Sequence, residues 1–229
     1  MSEKILLVDT ATENCSAALF VDGKVTAEAT EAPREHSQRI LPMIDGLLAD
    51  AGLKLNDLDA IAFGQGPGSF TGIRIGISMV QGLALGADLP VLPISNLATM
   101  AQGAIDQGAT EVIAAIDARM GEVYFGHYVA EQGVAVLKGE EQVIAPDALL
   151  AQWQLGDEVV AVGTGFETYP QLADDARILI NTDCRLPTAE MMVPLALPLW
   201  RDGQAQAIEA VEPVYLRNTV AWKKLPGRE

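Results

Sequence analysis

Two aspartates close apolar runs, one near the start of the chain and one near its middle. They are Asp9 in "KILLVDTATENCSAAL" and Asp117 in "VIAAIDARMGEVYF". A carboxylate at the end of a strand can hold a cation or orient a water, and two facing each other can divide acid and base roles. The same residue in a turn can instead accept nearby backbone N–H groups, and then it does no chemistry. Both readings are open for this pair. A third candidate is "GQGPGSFTGIRIG" at 64–76, which lies between two apolar runs. Glycine-rich turns that lead into helices can cradle phosphate. This one lacks the Gly-Lys-Ser/Thr ending of a phosphate loop and completes no Gly-x-Gly-x-x-Gly pattern. No Gly-x-Ser-x-Gly elbow is present. "AVGTG" at 161–165 is a weak nucleoside-contact signal.

The elements that must hold these residues follow from pattern. Strand-like runs cover 4–9, 15–21 and 24–30, and Asp22-Gly23 joins the last two as a hairpin turn. Residues 34–51 read as a helix with Ile40, Ile44, Leu47, Leu48 and Ala51 on one face and Gly52 as its stop. A strand at 59–64, a helix at 71–87 capped by Thr71 and a strand at 90–94 follow. The 71–87 helix is apolar on every side, so it must be covered on every side. Its glycines are spaced by four, Gly72 with Gly76 and Gly82 with Gly86. Either they admit a second helix or they seat this one tightly on its own sheet.

Bulk properties exclude several classes. The chain has 229 residues, of which 49% are hydrophobic and 20% charged, enough for a well-filled core. Apolar runs are broken before membrane-spanning length, and "MSEKILLVD" is no signal peptide. Cys15 and Cys184 lie in no metal or redox motif, which suits a cytoplasmic protein. Fifteen Lys and Arg against 31 Asp and Glu give a net charge of −16. Such a surface repels nucleic-acid backbones.

A second pattern starts at 111. "EVIAAIDARMGEVYFGHYVAEQGV" repeats the layout of "KILLVDTATENCSAALFVDGKV", which marks an internal duplication. A closing helix at 188–203 carries Pro194 and Pro198, which should bend or interrupt it. Duplicated halves with an aspartate at the first turn of each resemble the α/β, two-lobed actin, Hsp70 and sugar-kinase ATPases, built on duplicated ribonuclease-H-like units. In those proteins both turns hold ATP phosphates and read Asp-x-Gly. Here Ala11 and Arg119 stand at the glycine positions, so both phosphate turns are degenerate.

The motifs "LVDTATENCSAAL", "EHSQRILPMI", "GQGPGSFTGIRIG", "DARMGEVYFGHY" and "PVYLR" together resemble the TsaB (YeaZ) family of bacterial tRNA threonylcarbamoyladenosine biosynthesis proteins. The resemblance covers essentially the whole chain. It implies a non-catalytic partner of the paralogous enzyme TsaD, acting with the ATPase TsaE to place threonylcarbamoyl on the adenosine 3′ of the anticodon. It implies heterodimers with TsaD, homodimers when the chain is alone, and only indirect contact with tRNA. In TsaD, two histidines four apart bind the metal. The matching stretch here is "PISNLATM", with Asn96 and Met100 at the ligand positions, so neither metal nor cofactor is expected. The first two helices are the implied docking surface. The residues singled out are His36, Ile40, Met43 and Leu47 on the first helix. On the second they are Gly72, Ile73, Arg74, Gly76, Met79, Val80 and Leu83. The resemblance tips the glycine spacing toward docking.

The expected organisation is an N-terminal lobe at 1–105 with the 188–203 helix packed back on it. A C-terminal lobe at 106–187 follows, then an extended tail at 204–229 whose basic end contacts a partner. Two other functions compete, a glycoprotease-type metalloprotease and a small actin-like ATPase. The absent histidines weigh against the first and the degenerate turns against the second.

Overall fold

The computed structural model describes residues 3–217. Its first sheet contains β1 (Lys4–Asp9), β2 (Asn14–Val21), β3 (Lys24–Glu31), β4 (Ala60–Gly66) and β5 (Val91–Ser95) in the order β3-β2-β1-β4-β5. The first three strands form an antiparallel meander, and β4 and β5 run parallel to β1. Asp22 and Gly23 take φ values of 48° and 89°, the left-handed pair that a two-residue hairpin needs.

The second sheet contains β6 (Glu111–Arg119), β7 (Glu122–Glu131), β8 (Val134–Leu137), β9 (Gln142–Ile144), β10 (Val159–Val162) and β11 (Ile178–Ile180). Its order is β11-β10-β6-β7-β8, with β9 paired to β7. Here too a meander opens the unit and two parallel strands extend it. The duplication read from sequence is thus a duplication of sheet topology.

Each sheet buries both faces, as alternation along its strands demands. On the outer face of the first sheet, Leu6, Val8, Ile61 and Phe63 pack under α1 (His36–Ala51) and α2 (Phe70–Ala87). On its inner face, Ile5, Leu7, Ala62 and Leu92 meet Ala189, Met192, Val193 and Ala196. The second sheet sets Val112, Ala114 and Ile116 against α3 (Asn96–Asp106). Its far face is covered by Leu149 of α4 (Pro146–Ala151) and Phe166 of α5 (Gly165–Thr168). Helix α3 has no counterpart among the elements expected from sequence. It packs mainly on the second sheet while touching β4 and β5. Helix α3 thus follows β5 directly and lies between the two sheets.

Other expectations shift by a turn. The cap of α2 is Ser69, whose hydroxyl accepts from the Gly72 N–H at 3.3 Å, and Thr71 lies inside the helix. Ala51 is exposed, so it leaves the apolar face of α1. Gly52 ends that helix at φ 66° as expected. The closing segment divides into a short 3-10 turn, Glu190–Met192, and α6 (Val193–Arg201). Pro194 sits in the first turn of α6, where its missing N–H costs nothing, and Pro198 is internal. Of the tail, 204–217 is described, while 218–229, with the basic end, lies outside the described residues.

The 18 residues of α2 are long and apolar enough to cross a membrane by length and composition alone, so that run is less interrupted than the sequence reading held. Its inner side, Ile73, Ile77, Val80 and Ala84, is committed to the first sheet's core. The glycines divide by position. A Cβ on Gly72 would lie 2.2 Å from the Thr10 carbonyl oxygen, and one on Gly76 would lie 2.6 Å from Thr10 Oγ1. Gly68 is as tight, 2.4 Å from the Ala11 carbonyl oxygen. These three form a stripe that seats α2 on the β1–β2 turn of its own chain, which corrects the reading of Gly72 and Gly76 as docking residues. Around Gly82 and Gly86 there is open space.

Gly76→Leu is accordingly expected to destabilise the isolated chain by about 2–3 kcal/mol through overpacking. Gly82→Ala should stabilise it by about 0.5–1 kcal/mol through helix propensity. Urea unfolding of the two variants checks both signs. A Gly76→Leu chain as stable as its parent would show that the stripe is slack.

Candidate functional site

A cleft of about 510 Å³ opens between the two lobes, and the two aspartate turns meet at its ends. From the first lobe it is lined by Ala11, Thr12, Glu13 and the loop 68–70. From the second come Asp117, Arg119, Thr164 and Glu167, with Arg185 and Arg217 beside them.

The aspartates do not face each other as a pair. Asp9 is 1% exposed and lies under its turn. The Ala11 N–H donates to its Oδ1 at 3.2 Å, and Asn96 Nδ2 donates to its Oδ2. Asn96 completes the link, since its Oδ1 accepts from the Gly66 N–H at 2.8 Å. That bond fixes which end of the amide faces Asp9. One side chain thus ties together the ends of β1 and β4 and the start of α3. Gly64 allows the approach, because a Cβ there would stand 2.1 Å from Asp9 Oδ2. Burial pushes the Asp9 carboxyl up from the usual 3.8 to about 7, against the pull of the Asn96 and Ala11 hydrogen bonds.

Asp117 does line the cleft, but its oxygens are committed. The Arg119 N–H donates to Oδ1 at 2.9 Å and the Arg119 guanidinium to Oδ2 at 2.7 Å. Each aspartate therefore accepts the N–H two residues on, the same local turn in both lobes. The Ser69 N–H is spent on the Ala11 carbonyl at 2.7 Å. The Ala11, Ser69 and Arg119 N–H groups are thus already bonded within the chain.

The remaining sequence candidates disperse. Met100 is fully buried in the second lobe's hydrophobic core. His36 is buried, its Nε2 donating to the Thr12 carbonyl at 2.8 Å and near the Asn14 carbonyl at 3.2 Å. It pins α1 to the β1–β2 turn instead of facing a partner. Ile40, Met43, Leu47, Ile73 and Val80 are core residues packed on their own sheet, which removes them from the docking surface read from sequence. Arg74 is exposed, and Met79 and Leu83 are partly so. Among the described residues, no three His, Cys, Asp or Glu side chains gather as a metal site would require. Burial pushes the Cys15 and Cys184 thiols up to about 11, so neither is a nucleophile at neutral pH.

Two comparisons of sequence bear on this cleft. The profile of the family described as TsaD, tRNA N6-adenosine threonylcarbamoyltransferase, matches residues 25–224. The tRNA threonylcarbamoyladenosine biosynthesis protein TsaB of Escherichia coli is 51% identical over 231 aligned residues, spanning 99% of this chain and 100% of that one. The chain belongs to the TsaB family. The TsaB of Haemophilus influenzae is 48% identical, over 98% of each chain. The solved structure of YeaZ from Pseudomonas aeruginosa superposes with a TM-score of 0.87 at 43% identity, over 93% of this chain and 100% of its own. The two-lobed fold of the TsaB family is therefore the fold of this chain.

Two groups to which the sequence reading gave no role join the lobes. Arg217 reaches the second turn from the far end of the chain, donating to the Ala118 carbonyl at 3.1 Å, and nothing local in sequence predicts it. Glu141 accepts from the Ser95 and Tyr128 hydroxyls where the lobes meet. Burial, with the Glu141 charge, raises the Tyr128 phenol well above its ordinary value. The Asp9–Asn96 bond had a faint signal, a polar residue at the first position of a helix directly after an apolar strand.

A carboxyl whose folded pKa lies above its unfolded one stabilises the fold most below the unfolded value, and that contribution is lost as pH rises to the folded value. Asp9 should therefore make stability fall between about pH 4 and about pH 7. Asp9→Asn should show a constant offset, since its amide keeps only one acceptor oxygen for the two donors Ala11 N–H and Asn96 Nδ2, and a flatter slope over that window. Urea unfolding at several pH values compares them, and parallel slopes would remove Asp9 as the titrating group.

Proposed function

We propose that this chain acts in threonylcarbamoyladenosine formation as a non-catalytic subunit. It docks on a TsaD-like paralogue that carries the chemistry, works with a TsaE-like ATPase, and pairs with itself when alone. The observation that carries this reading is the state of the cleft. The two aspartates that would hold a metal or phosphate in an active relative are satisfied by their own turns and by Asn96. A competing ATPase would require those turns to be free, and a metalloprotease would require histidines where Asn96 and Met100 stand. The cytoplasm is the proposed compartment, in keeping with two reduced thiols.

Docking is proposed on the outward sides of α1 and α2. Leu41 and Leu85 are 37% and 60% exposed there. Met79 and Leu83 are only partly covered, and Gly82 and Gly86 leave room for a second backbone. Large apolar residues grouped on one surface suit a partner. Contact with tRNA is assigned to the partner, because a net charge of −16 opposes binding by this chain alone.

Reconstitution tests the reading. Threonylcarbamoyladenosine formation on tRNA by TsaD-like and TsaE-like proteins should require this chain, while the chain alone should show no ATP turnover above background. Robust turnover that Asp9→Ala abolishes would overturn the non-catalytic assignment. Leu85→Glu should weaken binding to the TsaD-like partner at least about tenfold, some 1.4 kcal/mol, and leave the melting temperature of the isolated chain unchanged. Titration calorimetry and thermal melts on the same preparation read both. Unaltered affinity would move the docking surface elsewhere.

A further inference from the structure

The cleft has two rims, and an arginine bridges the lobes at each. At one rim, Arg185 lies 3.5 Å from Glu31 of β3 and 2.8 Å from Glu167 of α5. All three side chains are substantially exposed, so this bridge contributes little. The other rim is crossed by the chain's last described residues, and its bonds are better protected.

Residues 206–217 leave the first lobe and end on the second. Gln206 exchanges two backbone hydrogen bonds with Val91 at the β5 edge, at 2.8 and 2.9 Å. Ile208 and Val211 then enter the first lobe's core. The Val214 N–H donates to the Gln65 carbonyl at 3.2 Å, and Gly66 leaves room for this, since a Cβ there would meet the Val214 carbonyl oxygen at 3.0 Å. The Tyr215 hydroxyl accepts from Arg74 Nε at 3.1 Å, and its ring stands 5.8 Å from that of Phe70. The Arg74 guanidinium sits 3.6 Å above the Phe70 ring.

Arg217 makes the crossing. Its guanidinium donates to the Ala118 and Arg119 carbonyls at 3.1 and 3.3 Å and pairs with Glu122 of β7. The Arg217 side chain is only 17% exposed. Charge-assisted bonds are the stronger class, and the Arg217 end of this pair is the more buried, Glu122 being 37% exposed. One end of the segment is thus anchored by backbone pairing and core burial in the first lobe, and the other by three acceptors at the second lobe's aspartate turn. Beneath it runs an apolar space of about 600 Å³ walled by Phe70 and Ile73 on one side, Tyr124 on the other, and Val214, Tyr215 and Arg217 above.

We propose that residues 206–217 are a latch that holds the two lobes at one opening, closed by Arg217 on Glu122 and the turn before it. Opening the latch frees the lobes to hinge about the α3 and α6 layer and exposes the space beneath Tyr215. Because Tyr215 rests on Arg74 and Phe70 of α2, whatever displaces it from that helix also loosens the lobes.

Spin-label distance measurements on the full chain test this. Ser37→Cys on α1 and Gln171→Cys in the second lobe place labels at exposed positions, and the native thiols are buried. The parent should give one narrow distance distribution. Arg217→Ala should shift it to longer distance and broaden it, and Glu122→Gln, which keeps the side-chain volume, should do the same. Exchange of the Val214 amide should quicken about tenfold in both variants. Melting curves identify any variant that has merely unfolded, in which case the other decides. Distributions in both variants as narrow as the parent's would overturn the latch, as would broadening in Arg217→Ala alone.

Discussion

A buried carboxylate must find partners for its oxygens, and the rest of this molecule is arranged around that need at Asp9. Its partners are an amide two residues along and Asn96, which passes the connection on to Gly66. Three elements from distant parts of the chain are fixed by that one requirement. With Asp9 held, the turn after β1 has a set position. That turn is the surface on which the glycines of α2 rest, and the one to which His36 binds α1. An unsatisfied carboxylate here would cost several times what an ordinary hydrogen bond contributes. Asp9 is thus a structural joint between β1, β4 and α3.

The same joint explains how α2 can be apolar on all sides. Its inner stripe is occupied by its own chain: small residues face the turn and Ile73, Ile77 and Val80 face the sheet. Its outer stripe carries Leu85 with two glycines that touch nothing. The two glycine pairs look alike in sequence and have different surroundings. Position along the helix, not spacing, separates them, because only the first turns lie over Thr10 and Ala11.

Much of the architecture could be read before any coordinates. Asp22-Gly23 forces the first hairpin, and the repeated strand-turn-strand around Asp117 gives the second sheet by analogy with the first. Local chemistry determines those features, so local sequence reports them. What escaped was long-range. Helix α3 is short, and polar Asn96, Thr99 and Gln102 are buried in it beside Leu97, Met100 and Ile105, so its polar positions do not mark a solvent face. Its packing against both sheets is a long-range fact that no window of sequence contains. Residues taken for a docking surface, such as Ile40 and Val80, are apolar at helical spacing, and a core demands the same pattern. At the site, the degenerate turns were legible from Ala11 and Arg119. That Asp9 is sealed while Asp117 lines the cleft was not, because Asn96 and Arg217 come from elsewhere in the chain.

The inner face of the first sheet has a consequence for how the chain is made. Ile5, Leu7, Ala62 and Leu92 are covered by residues from Ala189 to Ala196, and the β5 edge is closed by Gln206. All five strands of that sheet leave the ribosome well before their cover has been synthesised. During elongation the nascent lobe presents a bare apolar face and an open strand edge, so the domain-by-domain order that translation usually allows is closed to it. The first lobe must wait for residues 189–206. This protein's birth is a late, concerted event, and chaperone attention should concentrate on the interval between the fifth strand and the sixth helix.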